Sequence, residues 1–299
     1  YIRMVSFKCK SRSMVRSPLS SGPQSGAIFL ILAHWRRFAK AEKCDRIANV
    51  KIALPPEGRR GETNMERIRL GRTELYVTKT AFGALPIQRI PKADAVRLLR
   101  RAVDGGINYF DTANMYTDSE EKLGEALAGI RDQIVISTKS AGKDKKTVQA
   151  HIEQSLRSLR TDYIDLFQFH NPAILPDIND PEGPFAAALE AKEKGYIRHI
   201  GITNHRLGVA REAIASGNFE TLQFPFCYLA APQDLELVEL CRQADMGFIA
   251  MKGLSGGLLN NAAACFAFMQ QYPTVVPIWG IQREEELTSG LPCLKILRP

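Results

Sequence analysis

Residues 107–111 read Ile-Asn-Tyr-Phe-Asp, residues 134–139 read Ile-Val-Ile-Ser-Thr-Lys, and residues 164–170 read Ile-Asp-Leu-Phe-Gln-Phe-His. Each run is rich in β-branched and aromatic residues and is apolar at consecutive positions, which predicts strands that are buried on both faces. The stretches between them carry apolar residues at helical spacing, as at Ile152 and Leu156. Strands that alternate with amphipathic helices predict parallel βαβ units.

The same alternation continues on both sides of this stretch. We predict eight strands in all, at Lys79–Gly83, Ile107–Asp111, Ile134–Lys139, Ile164–His170, His199–Thr203, Thr221–Phe226, Gly247–Lys252 and Val275–Gly280. A hairpin pattern over residues 67–77 precedes the first of them, with its turn at Gly71-Arg72. Eight βα units in about 225 residues predict a (β/α)8 TIM barrel with an N-terminal β-hairpin. A doubly wound dinucleotide-binding sheet is the weaker alternative, because no G-x-G-x-x-G motif follows the first strand.

The basic residues are concentrated near the start of the sequence. Of the net charge of +8 on 299 residues, residues 1–64 carry +9 and the remaining 235 carry −1. Regular periodicity begins only at Met65, so we expect residues 1–64 to be a non-native or disordered basic segment. That segment is either translated sequence upstream of a natural start at Met65 or a genuine basic tail. We expect residues 65–290 to form the barrel and residues 291–299 to be a truncated or irregular tail.

The composition excludes several classes of protein. With 45% hydrophobic and 24% charged residues, it is that of a globular chain. The nearly neutral body predicts no nucleic-acid partner, and no apolar run approaches the roughly 20 residues of a membrane helix. The six cysteines are scattered without a C-x-x-C pair, which predicts neither a disulfide framework nor a zinc site and favours a reducing cytoplasm. The oligomeric state stays open.

Ionisable side chains follow three successive predicted strands. Asp111 ends the second strand and Tyr116 lies in the loop after it, while Lys139 ends the third strand and His170 the fourth. The carboxyl ends of the strands of a (β/α)8 barrel meet at one mouth, so we expect these side chains to lie close together. Each alone has an ordinary structural explanation, such as a helix cap or a solvated side chain. Their conjunction predicts a catalytic site.

This set of groups suits the protonation of an oxygen that gains negative charge. A phenol is a poor proton donor at neutral pH unless its anion is stabilised, and a nearby ammonium is expected to lower its pKa. Asp111 would hold Lys139 charged, and His170 would donate a hydrogen bond to a carbonyl oxygen or help to relay the proton. Addition of hydride to a carbonyl is such a reaction, and it requires a redox cofactor because no side chain supplies hydride.

One stretch resembles a known family. Residues 105–113, Gly-Gly-Ile-Asn-Tyr-Phe-Asp-Thr-Ala, followed by Tyr-Thr-Asp-Ser-Glu at 116–120, are similar to the first signature of the aldo-keto reductases. Lys139 and His170 stand where that family has the last two members of its Asp-Tyr-Lys-His tetrad. The resemblance extends over all eight predicted strands.

The resemblance implies NAD(P)H-dependent reduction of small-molecule aldehydes or ketones to alcohols. Tyr116 would be the proton donor, Lys139 and Asp111 the partners that lower its pKa, and His170 the group that orients the carbonyl. An alternative is a nicotinamide-nucleotide-binding redox-sensing or regulatory subunit with little turnover, which the complete tetrad disfavours. A Schiff-base aldolase that uses Lys139 is also disfavoured, because Asp111 would keep that amine protonated.

The resemblance also assigns cofactor-binding positions at the ends of the last four strands. They are Thr203, Asn204, Gln223, Met251, Lys252, Gly253, Leu254, Gly280, Gln282 and Arg283. The first three would contact the nicotinamide carboxamide, and residues 252–254 would follow the pyrophosphate. Met251 replaces an aromatic residue that commonly stacks on the nicotinamide ring. Arg283 would serve the adenosine 2′-phosphate or merely begin the last helix, so NADP(H) is favoured and NAD(H) stays possible.

Three stretches look most like a bacterial branch of the family, namely residues 223–228, 247–252 and 278–283. Members of that branch often carry a C-terminal ferredoxin-like iron–sulfur segment. Only Cys293 lies in the corresponding region of this sequence. We therefore expect that this chain as written cannot hold a cluster and has no metal site, whereas a natural protein with a longer tail could carry the segment.

Overall fold

The structure is a computed structural model, and it describes residues 65–289. The expectations for residues 1–64 and 291–299 lie outside this range. The boundary at Met65 therefore stays a prediction.

A hairpin opens the described part of the chain. Strands β1 (Arg67–Arg69) and β2 (Tyr76–Thr78) pair in antiparallel fashion. The predicted hairpin is present, but its connection is longer than the predicted Gly71-Arg72 turn and runs from residue 70 to 75. Gly71 and Glu74 both adopt positive φ, 56° and 57°, which keeps the chain out of the extended conformation until Tyr76.

Eight further strands form a closed parallel barrel in residues 65–289, which confirms the (β/α)8 prediction. They are β3 (Ala81–Gly83), β4 (Tyr109–Asp111), β5 (Val135–Ser140), β6 (Ile164–His170), β7 (Ile197–Thr203), β8 (Thr221–Pro225), β9 (Gly247–Met251) and β10 (Val275–Gly280). Strand β10 pairs with β3 and closes the barrel, with Trp279 opposite Phe82. The predicted strand limits agree with the observed ones to within two residues.

Helices follow the barrel strands. They are α1 (Lys92–Asp104), α2 (Ser119–Ala126), α3 (Lys145–Leu159), α4 (Pro184–Glu193), α5 (Leu207–Ser216), α6 (Pro232–Gln243), α7 (Ala262–Gln270) and α8 (Glu284–Ser289). Local sequence fixes several of their ends. Helix α3 begins after Asp144, whose carboxylate accepts a hydrogen bond from the Thr147 amide at 2.8 Å, and α5 ends at Gly217 with a φ of 69°. No helix in residues 65–289 is both long and apolar enough to cross a membrane.

The apolar residues form two separate cores. The larger core lies between the strands and the helices, and the smaller one fills the inside of the barrel. Leu70 and Val77 of the hairpin region belong to the inner core together with Tyr109 and Leu166. Gly71 pairs with Met246, just before β9, so the hairpin covers the amino end of the barrel. Polar side chains lie at the opposite end of the barrel, at the carboxyl ends of the strands.

An ionic cluster around the buried Asp165 lies at the amino end of the barrel. Asp165 accepts hydrogen bonds from Arg131 at 2.6 Å, from Arg198 at 3.1 Å and from the Ile136 amide at 2.9 Å. The two guanidinium groups lie 4.0 and 3.7 Å from the centroid of the Tyr163 ring. These charges pair among themselves at the end of the barrel away from the carboxyl ends of the strands.

Candidate active site

The carboxyl ends of β4, β5 and β6 bring the four predicted catalytic side chains together. Lys139 Nζ lies 2.7 Å from Asp111 Oδ2, and the two side chains are 1% and 4% exposed. The Tyr116 ring packs edge-on against the His170 ring, with the centroids 5.8 Å apart. Lys139 Nζ lies 5.6 Å from the centroid of the Tyr116 ring. The structure therefore places an ion pair, a phenol and an imidazole in one cluster.

The loop that carries Tyr116 is held by backbone hydrogen bonds. The Asn114 amide donates to the Lys139 carbonyl at 3.0 Å, which ties the loop to β5. The Tyr116 carbonyl accepts from the Ser119 amide at 2.8 Å, at the start of α2. Thr117 between them has a φ of 35°, which residues with a Cβ rarely adopt. The surrounding contacts thus hold strained backbone next to the phenol.

Asp111 is fully engaged on both oxygens. Oδ1 accepts from Ser137 Oγ at 2.7 Å and from Gln168 Nε2 at 3.3 Å, while Oδ2 accepts from Lys139. Lys139 Nζ also donates to the Thr112 carbonyl. Neither Ser137 nor Gln168 is among the residues predicted from the sequence. Both lie two residues before a predicted catalytic residue and share its face of the strand, so the period-two pattern was the signal that could have revealed them.

The electrostatics differ from the expectation in one respect. Burial, and secondly the Asp111 carboxylate, raise the pKa of Tyr116, whereas Lys139 was expected to lower it. Burial lowers the pKa of Lys139, and Asp111 opposes that shift. Burial and then the charge of Lys139 lower the pKa of His170 to about 4. At neutral pH the phenol is therefore protonated and the imidazole is neutral.

A second buried carboxyl group, Glu120, lies close to this cluster and was not anticipated. It accepts a hydrogen bond from Thr138 Oγ1 at 2.5 Å, and the Ser155 and Asn114 side chains also bond to it. Burial raises the pKa of Glu120, and the hydrogen bonds and the Lys139 charge act in the opposite direction. Its position in the first turn of α2 links the Tyr116 loop to β5.

The residues predicted for the nicotinamide end lie at the carboxyl ends of β7, β8 and β9. Thr203 and Gln223 are buried and stand opposite each other in register. Gln223 Oε1 accepts from Gln168 Nε2 at 2.9 Å, and Gln223 Nε2 lies 3.9 Å from Met251 Sδ. A continuous line of polar contacts therefore joins Asp111 to Met251.

Asn204 has local partners for both ends of its amide group. Nδ2 donates to the Pro172 carbonyl at 2.8 Å, and Oδ1 accepts from the Arg206 amide at 2.8 Å. These bonds connect the loop after β6 to the start of α5. Asn204 shapes the loop in this structure, which is a role that the sequence analysis did not anticipate.

The segment after β9 approaches the end of β10 closely. A Cβ on Gly253 would lie 2.7 Å from the Trp279 ring, so a residue without a side chain is needed there. Leu254 follows and is partly buried against the larger core, between the strands and the helices. Lys252 is exposed with a φ of 60°, and its charge adds to the effect of burial in lowering the pKa of His205. The Trp279 indole Nε1 is buried without a hydrogen-bond partner among residues 65–289.

The positions predicted for the adenosine end lie between β10 and α8. Gly280 is the exposed last residue of β10. The Gln282 amide donates to Glu286 Oε2 at 2.9 Å, and Arg283 pairs with Glu286 at 2.7 Å. Glu286 thus caps the start of α8. Arg283 pairs with this cap at the beginning of the helix, which is the alternative to phosphate binding that the sequence left open.

A buried Lys–Asp pair, a phenol and an imidazole lie at the carboxyl ends of the strands of this closed parallel barrel. In (β/α)8 enzymes the active site lies at this end of the barrel. Within residues 65–289, no group of three or more His, Cys, Asp and Glu side chains could hold a metal ion. The model of the Aldo/keto reductase family matches residues 79–288, and the chain belongs to that family. The family is one of oxidoreductases.

Curated relatives match over about two thirds of the chain. L-galactose dehydrogenase of Arabidopsis thaliana is 30% identical over 222 residues, which cover 67% of this chain and 68% of that protein. An uncharacterised oxidoreductase of Bacillus subtilis, YqkF, is 28% identical over 211 residues, which cover 66% of this chain and 67% of that protein.

Solved structures with the same fold are more distant in sequence. An aldo/keto reductase from Klebsiella pneumoniae, in complex with NADP and acetate, is 22% identical with a TM-score of 0.67, and the match covers 79% of this chain and 92% of that one. The holo form of an aldo-keto reductase from Bacillus halodurans is 23% identical with a TM-score of 0.66, covering 77% and 91%. At these identities the likeness supports the fold.

Proposed function

We propose that the protein reduces aldehydes or ketones to alcohols with NADP(H), NAD(H) being the other candidate cofactor. The observation that carries the proposal is the buried Asp111–Lys139 pair beside Tyr116, whose ring contacts His170. Family membership supports oxidoreductase chemistry, and a Klebsiella pneumoniae protein of the same fold binds NADP. The cytoplasm as the location and the lack of a nucleic-acid partner stay predictions.

The residues at the ends of β8, β9 and β10 fit a dinucleotide. Gln223 offers an amide group for the carboxamide, and Gly253 lets the segment after β9 lie against the Trp279 ring, where a Cβ would clash. The exposed Lys252 would meet the pyrophosphate, and Arg283 would meet a 2′-phosphate if it leaves Glu286. The reduced nicotinamide, when bound, supplies the hydride.

The side chains of the site then carry out the transfer of one proton to the substrate. Tyr116 is protonated at neutral pH, and burial and then Asp111 raise its pKa further, so its Oη gives up the proton only as negative charge develops on the carbonyl oxygen. The neutral His170 imidazole orients that oxygen by a hydrogen bond. The Lys139 ammonium, held by Asp111, stabilises the phenolate that remains after the transfer.

Replacing Tyr116 with Phe tests this proposal. With NADPH and p-nitrobenzaldehyde as the probe, we expect Tyr116→Phe to lower kcat by about 10²-fold or more, since a positioned general acid contributes that much. The Kd for NADPH, measured by calorimetry, should stay within about twofold because the cofactor contacts are untouched. Tyr163→Phe is the matched control at the opposite end of the barrel and should change neither quantity.

Two results would contradict the assigned role of Tyr116. One is full carbonyl reduction by Tyr116→Phe, and the other is loss of NADPH binding in that variant. Tight NADPH binding by the native protein without turnover of carbonyl probes would favour the redox-sensing subunit. Trapping of a carbonyl substrate on Lys139 by borohydride would favour the aldolase.

A further inference from the structure

Gln168 is the side chain that contacts both parts of the proposed site. It lies fully buried in β6, and its Nε2 donates to Asp111 Oδ1 at 3.3 Å and to Gln223 Oε1 at 2.9 Å. Asp111 belongs to the catalytic cluster, and Gln223 is proposed to contact the nicotinamide. One amide nitrogen therefore bridges the two.

The chemistry of these three groups fixes the direction of both amides. The Asp111 carboxylate is paired with Lys139 and only accepts hydrogen bonds, so Gln168 must turn its NH₂ toward it. The second hydrogen of that NH₂ points at Gln223, so Gln223 must present its carbonyl oxygen to Gln168. The NH₂ of Gln223 is then left on the other side, toward Met251.

Within the described part of the chain, this orientation leaves one buried atom without a hydrogen bond. Gln168 Oε1 is buried and has no hydrogen-bond partner among residues 65–289. A buried carbonyl oxygen without a partner is unfavourable, yet turning the amide over would bring that oxygen against two acceptors. The carboxylate therefore dictates the orientation, although one oxygen is left unbonded.

The backbone leaves Gln168 little room to move. Strand β7 approaches so closely at Gly201 that a Cβ there would lie 3.3 Å from Gln168 Cγ and 2.1 Å from Thr221 Oγ1. Gln168 is thus confined between β7 and Asp111. A confined side chain transmits a fixed orientation to its neighbour.

We propose that Gln168 is a positioning residue for the cofactor: by holding the oxygen of Gln223, it turns the Gln223 NH₂ donor toward the nicotinamide carboxamide. This inference rests on the proposed function, because it needs a nicotinamide at the end of β8. Gln168 touches neither substrate nor cofactor and acts through Gln223. Its effect should therefore be confined to the nicotinamide half of the dinucleotide.

The test compares two ligands by calorimetry. Gln168→Met keeps the length of the side chain and removes both amide hydrogen bonds, and Gln168→Asn keeps the amide but is too short to bridge both partners. Each should weaken binding of NADPH by about tenfold, the effect of one misdirected hydrogen bond. Each should leave binding of adenosine 2′,5′-bisphosphate, which lacks the nicotinamide, unchanged. Retained binding of that fragment also reports a folded barrel.

A matched control and a double-variant cycle complete the test. Gln149, on α3, donates to Glu190 at 2.8 Å away from the barrel interior, and Gln149→Met should change neither affinity. In a Gln223→Met background, Gln168→Met should weaken NADPH binding by less than about twofold further, because the residue it positions is gone.

Three outcomes would overturn the inference. The first is unchanged NADPH affinity in Gln168→Met when Gln223→Met does weaken it. The second is equal weakening of the fragment and of NADPH, which would mean a general structural role. The third is an additive effect in the double variant. If the native protein binds neither NADPH nor NADH, the proposed function itself fails and the inference fails with it.

Discussion

The buried ion pair at the carboxyl end of the barrel gives a prediction whose size follows from the structure. Lys139 Nζ and Asp111 Oδ2 are 2.7 Å apart, with exposures of 1% and 4%. Lys139→Met leaves the Asp111 carboxylate buried without its counter-charge, and breaking a buried pair in this way costs about 3–5 kcal/mol. Asp111 keeps its hydrogen bonds from Ser137 and Gln168, so we expect the free energy of unfolding to fall by about 3 kcal/mol, at the lower end of that range.

Equilibrium unfolding in urea, followed by far-ultraviolet circular dichroism without cofactor, measures this loss. Lys92→Met is the matched control, because Lys92 pairs with Glu125 at 2.8 Å but is 48% exposed. Removal of such an exposed pair should cost less than about 1 kcal/mol. Adding Asp111→Asn to Lys139→Met removes the stranded charge and should recover part of the loss. If Lys139→Met costs no more than Lys92→Met, the reasoning from burial is refuted.

Two further predictions concern the loop after β9 and the imidazole. Gly253→Ala places a methyl group 2.7 Å from the Trp279 ring, so it should lower the melting temperature and shift the tryptophan fluorescence, and unchanged values would contradict the close approach. The pKa of His170 falls from its ordinary value of 6.5 to about 4 on burial, so between these pH values the unfolded chain binds a proton that the folded chain does not. The free energy of unfolding should therefore decrease as the pH falls from 6.5 toward 4. His170→Asn should flatten this dependence in urea titrations, and an equal slope in both proteins would exclude His170 as its cause.

The barrel could be predicted from the sequence because its signals are local. Each buried parallel strand is a run of consecutive apolar residues, and the helices between the strands show a separate period. The connection of the hairpin could not be predicted in the same way. Gly71 lies against the backbone before β9, where a Cβ would be 2.2 Å from the Gly247 nitrogen, and this contact between distant parts of the chain sets its conformation.

The four predicted catalytic residues could be named because each ends a predicted strand or lies in the loop that follows one. The polar residues that support them do not end strands, and only their period-two spacing from a predicted catalytic residue marks them. Gln168 and Ser137 lie inside apolar strands, and their roles depend on the neighbouring strand that each one faces. Asn204 was assigned to the cofactor by position, but its amide bonds to groups 32 residues earlier and two residues later. Such pairings require the register of the sheet and the course of the loops, which a single sequence does not contain.

The state of Tyr116 bears on the proton transfer of the proposed reaction. From the sequence, Lys139 is expected to lower the pKa of the phenol, but the ammonium is engaged by Asp111 and by the Thr112 carbonyl. The carboxylate faces the same phenol and, with burial, raises its pKa. A phenol with a raised pKa keeps its proton at neutral pH but is a weaker acid, so transfer of that proton to a carbonyl oxygen requires stabilisation of the phenolate. Lys139, which Asp111 holds in place, is proposed to supply this stabilisation, so its role begins once Tyr116 has given up its proton.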